Sequence, residues 1–414
     1  MHEPVFDTVI VRFGGEIGIK APFTRRQYER RLNINIKAHL KHHALPYSAL
    51  SRTPGRLYIR TNQAEETAQK LGEVLGISSL SPALTTSSNL DEILSASTQL
   101  ASRCFKRRES FAVRCHRVGV HPYTSQEICA KVGEHVLSSL QALKLTVDLT
   151  NPKRTLQLEI RDKKAYLFTD IIKGAGGLPL GTQPKLVCLL KGDSRSAVAC
   201  WMTMKRGCPQ VLLHIDESLT KSEKLPAQLA IASVTLTKWS IGFPARLRIA
   251  RLSRSVRKAL EEYPPELALI VQKRLMYRVA QRVAETTRAE GIVTGDSLER
   301  TRVHSVNLFR ILDDAAEGLP VYRPLLGLDD EEIALIADRV GLRKTRMGRT
   351  EQLSMKAAVE LEGIQEIERR LSSEVIVDDA LKSIQIIELT RLNKVNHDCR
   401  DFVLPKTGKA SMSP

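Results

Sequence analysis

The chain has 414 residues, which is long for one domain and predicts two or three. Its 63 Lys and Arg residues exceed its 46 Asp and Glu residues, giving a formal net charge of +17. This surplus favours a polyanionic partner, while 42% hydrophobic residues exclude a chain that is disordered throughout. No apolar run is long enough to cross a bilayer, and the N-terminus lacks the pattern of a signal peptide.

The seven cysteines contain no C-x-x-C pair, which argues against a zinc site and against a disulfide framework. We therefore expect reduced, mostly buried thiols and a cytoplasmic protein. No cysteine lies between Cys208 and Cys399.

The first elements follow the order strand, helix, strand, strand, helix. TVIVRF is a short apolar strand, and the helix that follows Pro22 has Thr24 as its expected N-cap. The segment RLYIRT predicts the next strands, and a second helix is expected over 64–75. This order predicts a small α+β sandwich of ferredoxin-like type.

A second unit begins near residue 85. In SFAVRCHRV, apolar residues alternate with Arg114 and His116, which predicts a strand with one buried and one basic face. Thr124 and Glu127 form the capping box of a helix, and TLQLEIRD with KAYLFTDII predicts a hairpin.

The third unit follows a linker rich in Gly and Pro, IKGAGGLPLGTQPK. LVCLL predicts a parallel strand covered on both faces, and the helix and QVLLHID after it complete a βαβ unit. GIVTG predicts a further parallel strand. Ligands bind beyond the carboxyl ends of such strands, so the turn from Lys191 to Ser196 is a candidate phosphate loop. By itself it also resembles an ordinary strand-to-helix turn.

Basic residues of the first two units are candidate RNA contacts. They form a positive track if the two units share a face, and otherwise they are a solvated surface. With nine Phe, eight Tyr and two Trp in the chain, recognition of RNA shape and backbone is favoured over an aromatic stacking platform. The candidates are Arg25, Arg26, Arg30, Arg31, Arg107, Arg108, Arg114 and Arg117.

Several stretches resemble the tRNA 4-thiouridine synthetases, also called tRNA uridine 4-sulfurtransferases. They include VRFGGEIGIK, FAVRCHRVGVHPYTSQE, KRLMYRVAQRVAE, VTGDSL and YRPLLGLDDEEI, and the resemblance covers residues 8 to 390. It implies a multidomain α/β and α+β fold. The implied parts are a ferredoxin-like domain (1–82), a THUMP RNA-binding domain (83–175), a parallel-sheet PP-loop ATP pyrophosphatase domain of the adenine nucleotide alpha hydrolase-like class (176–393) and a flexible tail (394–414).

In this family the first two domains recognise tRNA, and the third adenylates uridine 8 with ATP and Mg²⁺. A cysteine persulfide, loaded by a cysteine desulfurase, then delivers sulfur, and some members also supply sulfur for the thiazole of thiamine. The family tends to form homodimers, which the sequence leaves open. The resemblance places nucleotide contacts at Leu189, Leu190, Gly192, Ser196, His214, Ile215, Lys273 and Gly295.

The chain departs from the family pattern at residues on which the chemistry depends. The family loop reads S-G-G-x-D-S, so Lys191 replaces Ser, Asp193 replaces the second Gly and Arg195 replaces the Asp. A carboxylate at the second Gly repels phosphate, and an Arg cannot ligate Mg²⁺. The region after Arg-Pro-Leu, where the sulfur-carrying Cys is expected, contains no cysteine, and His304 stands where a glutamine contacts nucleotide.

Three functions are consistent with these observations. The favoured one is a tRNA-binding protein whose thiolation chemistry is lost or altered, with no catalytic or metal-binding residue assigned. The alternative is an active ATP-dependent tRNA uridine 4-sulfurtransferase with an external sulfur donor. A THUMP methyltransferase is disfavoured because the chain has no Asn/Asp-Pro-Pro-Tyr motif.

Overall fold

A computed structural model describes residues 6–216, 226–297, 305–342 and 360–389. The chain divides into two compact units, Met1–Pro179 and Leu180–Pro414. His304, Cys399 and the predicted tail lie outside the described residues. Among the described helices, none is long and apolar enough to span a membrane.

The N-terminal unit alternates strands and helices in two successive blocks. Its strands are β1 (Thr8–Phe13), β2 (Ala49–Thr53), β3 (Arg56–Arg60), β4 (Ile77–Ser87), β5 (Ser110–Val118), β6 (Thr146–Val147), β7 (Arg154–Arg161), β8 (Lys164–Phe168) and β9 (Ile172–Lys173). Its α-helices are α1 (Gly15–Gly18), α2 (Pro22–His42), α3 (Ala64–Leu71), α4 (Leu90–Cys104) and α5 (Ser125–Ser139).

These strands form one nine-stranded sheet in the order β2-β3-β1-β4-β8-β7-β5-β6, with β9 paired to β4. The strand β4 joins its two halves, because its first part pairs with β1 and its last residues pair with β8. The ferredoxin-like start, the β7–β8 hairpin and the Thr124–Glu127 capping box are confirmed. The prediction of Thr24 as an N-cap is wrong: Pro22 occupies the first helical turn and Ala21 is the N-cap.

The sheet is curved, so that side chains from its two halves meet on the face that carries no helices. The helices pack against one face in a large apolar core that contains Leu32 and Val132. On the other face Ile10 and Ala83 join three aromatic side chains in a separate small core, in which the rings of Tyr58 and Tyr166 stack 4.4 Å apart. Since β3 and β8 are not neighbours in the sheet, this contact requires the two halves of the sheet to curve towards each other.

A buried carboxylate stabilises the curved sheet. Glu159 on β7 is 3% exposed and accepts hydrogen bonds from Arg56 Nε at 2.6 Å and Arg161 Nε at 2.8 Å. The hydroxyl of Tyr58 donates a third bond at 3.0 Å, and Arg12 lies 3.6 Å away. Burial alone would raise the pKa of Glu159, but the hydrogen bond from Arg161 and the neighbouring arginine charges outweigh it and lower the pKa.

We predict that Glu159→Ala lowers the free energy of unfolding of this region by about 2 kcal/mol, because it leaves the half-buried Arg56 and Arg161 uncompensated. Hydrogen exchange of β3 and β7 in the full chain measures this. Because the folded pKa is lowered, Glu159 stabilises above its unfolded-state pKa and this contribution is lost as pH falls through the folded value. Wild type and Glu159→Gln should therefore converge in acid, and a constant difference would contradict the prediction.

The C-terminal unit is an α/β domain. Its described strands are β10 (Leu186–Leu189), β11 (Gln210–Asp216), β12 (Arg246–Arg251), β13 (Ile292–Val293), β14 (Val321–Tyr322) and β15 (Gln385–Glu388). Its described helices are α6 (Ser194–Lys205), α7 (Ala227–Lys238), α8 (Arg254–Leu260), α9 (Pro265–Thr287), α10 (Ser305–Asp314), α11 (Asp330–Val340), α12 (Leu361–Arg370) and α13 (Ser373–Lys382).

The sheet of this unit has the order β14-β13-β10-β11-β12-β15. The pairings are parallel except for β15, which runs antiparallel to β12. The predicted βαβ unit and the parallel strand in GIVTG are confirmed. Two of the cysteines are close together: Cys188 on β10 and Cys200 on α6 are both buried, with Cα atoms 5.9 Å apart, a separation that a disulfide could span.

Candidate functional site

The candidate phosphate loop lies where the strand order of the C-terminal sheet reverses. From β10 the chain proceeds outward to β11 and β12, and later returns to β13 on the other side of β10. The ends of β10 and β13 are therefore adjacent, but their connections lead to opposite sides of the sheet. This divergence opens a crevice at the carboxyl ends of the two strands. The turn from Leu190 to Asp193 stands at this crevice and leads into α6.

The first turn of α6 is capped by the loop's own carboxylate. Asp193 is the N-cap, and its Oδ1 accepts the Ser196 backbone N–H at 2.8 Å and the Ser196 hydroxyl at 2.5 Å. The hydroxyl oxygen of Ser196 in turn accepts the backbone N–H of Lys191 at 3.1 Å. A helix N-terminus binds anions through such N–H groups, so a carboxylate already fills the place that a phosphate oxygen would take.

Two glycines allow the close approach of the loops. Gly192 has a φ of +86°, and a Cβ there would lie 3.0 Å from the backbone nitrogen of Leu229 on α7. A Cβ at Gly295, after β13, would lie 2.7 Å from the backbone nitrogen of Ser196. Both positions therefore require glycine, and Gly295 places the β13 loop directly on the first turn of α6.

Arg195 links this turn to two other elements. Its side chain is 4% exposed, its NH1 donates to the hydroxyl of Ser297 at 2.9 Å, and its NH2 forms an ion pair with Asp330, the first residue of α11. The guanidinium is thus buried in the protein, where it contacts a carboxylate and a hydroxyl. It takes the sequence position of a metal-organising Asp without being able to bind a cation.

The structure gathers the nucleotide contacts expected from the resemblance around this crevice. Leu189 ends β10 and Leu190 follows it, and the Nδ1 of His214 on β11 lies 2.8 Å from the carbonyl oxygen of Leu190. Burial lowers the pKa of His214, which favours the neutral ring. Ile215 is buried beside it. From α9, Lys273 reaches the loop after β13.

A polar cluster beside the loop joins Lys273, which the sequence had singled out, to residues that it had not. Asp296 accepts hydrogen bonds from Lys273 Nζ at 2.7 Å, from the Thr294 hydroxyl at 2.9 Å and from the Tyr277 hydroxyl at 3.1 Å. Arg323 lies 3.7 Å from the same carboxylate. Asp296 and Arg323 belong to VTGDSL and YRPLLGLDDEEI, so the motifs contained the signal, but their pairing requires the fold.

Charge sets the protonation state of this cluster. Burial alone would raise the pKa of Asp296, but the charge and hydrogen bond of Lys273 and the charge of Arg323 outweigh it and lower the pKa strongly. Burial next to the Asp296 carboxylate raises the pKa of Tyr277, which stays a hydrogen-bond donor. The Asp296 carboxylate thus lies between two cations, and Arg323 also pairs with Asp313 at 2.5 Å.

The loop does not fit a magnesium pyrophosphate. An anion is favoured at the first turn of α6, yet Asp193 already occupies the Ser196 N–H there. Of the nearby carboxylates, Asp296 is held by Lys273 and Asp330 by Arg195. Within the described residues there is no group of three His, Cys, Asp or Glu side chains that could hold a metal ion.

Comparison with known proteins places the chain in a family. Models described as "ThiI ferredoxin-like domain", "THUMP domain" and "Thiamine biosynthesis protein (ThiI)" match residues 8–81, 87–170 and 181–359. A "Probable tRNA sulfurtransferase" of Methanothermobacter thermautotrophicus is 34% identical over 81% of this chain and 85% of its own. One of Saccharolobus islandicus is 32% identical over 92% of this chain and 100% of its own.

The chain belongs to the tRNA sulfurtransferase family.

Two solved structures agree with this family assignment. One is described as a crystal structure of a 4-thiouridine synthetase–RNA complex with bound ATP; it superimposes with a TM-score of 0.78 at 25% identity, over 92% of this chain and 99% of that one. PH1313 from Pyrococcus horikoshii has a TM-score of 0.64 at 30% identity, over 81% of this chain and 100% of that one. The predicted fold class, with a ferredoxin-like domain, a THUMP domain and a C-terminal parallel-sheet domain, is confirmed, while the predicted domain bounds stay a prediction.

The arginines predicted to bind RNA divide into two groups in this sulfurtransferase-family chain. One group lies on α2 and comprises Arg25, Arg26, Arg30 and Arg31. In the other group, Arg114 and Arg117 lie on β5, and Arg107 and Arg108 lie between α4 and β5. Arg26, Arg30, Arg107, Arg108 and Arg114 are exposed, whereas Arg25, Arg31 and Arg117 are half-buried. Some are engaged within the protein: Arg114 donates to the carbonyl oxygen of Leu149 at 3.0 Å, and Arg117 lies 3.4 Å from His121.

We predict that Arg195 and Asp330 are energetically coupled. Arg195→Ala should lower the free energy of unfolding by about 2 kcal/mol, and the double variant with Asp330→Ala should show a coupling energy of about 1 kcal/mol or more. Urea unfolding followed by Trp fluorescence reports on this unit, because both tryptophans, Trp201 and Trp239, belong to it.

The matched control is the exposed helix-surface pair of Arg370 and Glu366, which are 2.9 Å apart. Arg370→Ala should change stability little. Strictly additive effects of the Arg195 and Asp330 substitutions would contradict the proposed connection between α6 and α11.

Proposed function

We propose that this member of the tRNA sulfurtransferase family is a cytoplasmic protein that binds tRNA and does not perform ATP-dependent thiolation itself. The observation that carries the proposal is the bond between the Asp193 carboxylate and the Ser196 N–H at 2.8 Å. It fills the anion-binding turn of the PP-loop with a charge of the same sign as phosphate. Electrostatic repulsion between this carboxylate and a pyrophosphate oxygen opposes phosphate binding at the same turn.

Two further features support the loss of chemistry. Arg195 replaces a carboxylate of the family loop and is committed to Asp330 inside the protein. The sequence also has no cysteine from 209 to 398, the part of the chain in which the family's persulfide-forming thiol is expected. Neither Mg²⁺ nor a cysteine desulfurase is required for a function limited to RNA binding.

Support for tRNA as the partner comes from the N-terminal unit. The chain keeps the ferredoxin-like and THUMP regions, carries a net charge of +17, and presents exposed arginines on α2 and around β5. The structurally similar synthetase is described as an RNA complex. Positive surface of this kind binds a phosphate backbone by releasing counterions, so affinity for tRNA should fall steeply as salt rises.

Restoring the family residues should restore the phosphate site. We predict that Asp193→Gly combined with Arg195→Asp strengthens Mg·ATP binding at least tenfold over wild type, as measured by calorimetry. Asp193→Asn is the matched control, because it keeps a capping oxygen while removing the charge, and it should give an intermediate affinity. Trp fluorescence verifies that the variants are folded.

Binding of tRNA should be the same in wild type and in these variants, because the changes lie outside the N-terminal unit. Unaltered ATP affinity in the double variant would contradict our description of the loop. Tight Mg·ATP binding by the wild-type chain would instead favour an active sulfurtransferase.

A further inference from the structure

The thiols of Cys115 and Cys129 meet where α5 packs on β5. Cys115 lies on the same face of β5 as Val113, because alternate residues of a strand share a face. Cys129 and Gly133 lie on one face of α5, because residues four apart in a helix are neighbours. A Cβ at Gly133 would lie 4.0 Å from Cγ2 of Val113, so these two faces contact each other.

The same register places the two cysteines opposite each other. The short connection 119–124 turns the chain, so α5 runs back along β5. Two residues along a strand cover about 6.6 Å and four residues along a helix about 6 Å, so Cys115 faces Cys129 as Val113 faces Gly133. The contacts of Cys115 agree with this register. Its thiol hydrogen-bonds with Cys129 and with the hydroxyl of Ser125, one helical turn earlier.

The contact makes Cys129 the more reactive of the two thiols. The hydrogen bond from Cys115 lowers the pKa of Cys129 against the effect of burial, and the charge of Arg114 acts in the same direction. The same hydrogen bond, together with burial, raises the pKa of Cys115. Both side chains are half-buried, so a small oxidant reaches them. An accessible thiolate beside a second thiol is the arrangement found in redox-sensing cysteines.

We propose that Cys115 and Cys129 are a redox modification site at which a hydroperoxide forms an intramolecular disulfide. The Cys129 thiolate attacks the hydroperoxide, an S–O bond forms and the O–O bond breaks. The leaving oxygen takes up the proton released by Cys129 and departs as water or an alcohol, and Cys129 becomes a sulfenic acid. The sulfur of Cys115 then attacks that of Cys129. The S–S bond forms, the S–O bond breaks, and hydroxide leaves as water with the proton of Cys115.

The disulfide changes the stability of this part of the N-terminal unit. The two thiols together lose two electrons, which reduce one hydroperoxide. The new bond closes the loop 115–129 and ties α5 to β5, so it disfavours local opening of the helix. A thiol reductant reverses it, as is usual for disulfides that form transiently. This site goes beyond the proposed function and depends on neither the PP-loop nor tRNA.

The experiment treats the reduced full chain with hydrogen peroxide and maps its cysteines by peptide mass spectrometry. Wild type should form a Cys115–Cys129 link with a loss of about 2 Da, which dithiothreitol reverses. Hydrogen exchange of α5 should be about tenfold slower in the oxidised chain. In Cys115→Ser the link should be absent, and excess peroxide should add two oxygens to Cys129, because no second thiol traps its sulfenic acid.

Cys104 supplies the matched control. It is a half-buried thiol of the same unit, and burial raises its pKa. It should react with peroxide about tenfold more slowly than Cys129, and Cys104→Ser should leave the Cys115–Cys129 link unchanged.

Equal oxidation rates of Cys104 and Cys129 would overturn the proposal, because they would indicate that exposure alone decides reactivity. A wild-type chain in which Cys129 goes to sulfinic acid, or links to a cysteine other than Cys115, would also overturn it. The comparison of oxidised with reduced wild type requires no substitution, so it decides the proposal even if Cys115→Ser does not fold. Thermal melting checks the folding of each variant.

Discussion

The hydrogen bond between the Asp193 carboxylate and the first turn of α6 is the contact on which the proposed loss of chemistry depends. A helix N-terminus has several unpaired N–H groups and a partial positive charge, and the PP-loop architecture places one at the crevice of the sheet. In this chain an internal carboxylate satisfies the N–H of Ser196 at 2.8 Å. The helix is thereby capped by a side chain of its own loop, and this internal cap is what we propose opposes a phosphate there.

The neighbouring contacts follow from the same arrangement. Gly295 must be a glycine because the β13 loop touches Ser196, and Arg195 leaves the crevice to pair with Asp330. Asp296 is neutralised by Lys273 and Arg323 rather than presented to a cation. These ion pairs are local and mutually satisfied. The crevice thus has the topology of a ligand site, but these charged side chains beside it are paired with one another.

The N-terminal unit shows the opposite organisation, with charge retained at the surface. A buried carboxylate, Glu159, holds Arg56 and Arg161 and stabilises the curved sheet, whereas Arg26 and Arg30 of α2 and Arg52 of the β2–β3 hairpin are exposed. RNA binding requires such accessible charge, whereas thiolation requires an open phosphate loop and a reactive thiol. The charges of the N-terminal unit therefore support RNA binding, whereas we propose that those of the C-terminal unit no longer support thiolation.

Sequence patterns predicted the elements well where periodicity or a motif was strong. The apolar run LVCLL became the buried parallel strand β10, and the Thr124–Glu127 capping box opens α5. The start of α2 was misplaced because Pro22, at its first turn, determines the boundary more strongly than the hydroxyl of Thr24. Contacts between distant segments, such as Asp296 with Lys273 or Glu159 with Arg56, depend on topology and cannot be obtained from local spacing.

The most direct test of the closed loop is the 4-thiouridine content of tRNA from a strain that lacks its own synthetase and expresses this chain. We predict that the modified base is absent although the purified protein binds tRNA. Appearance of 4-thiouridine would contradict the loss of chemistry and would require another thiol, with Cys399 as the first to be replaced.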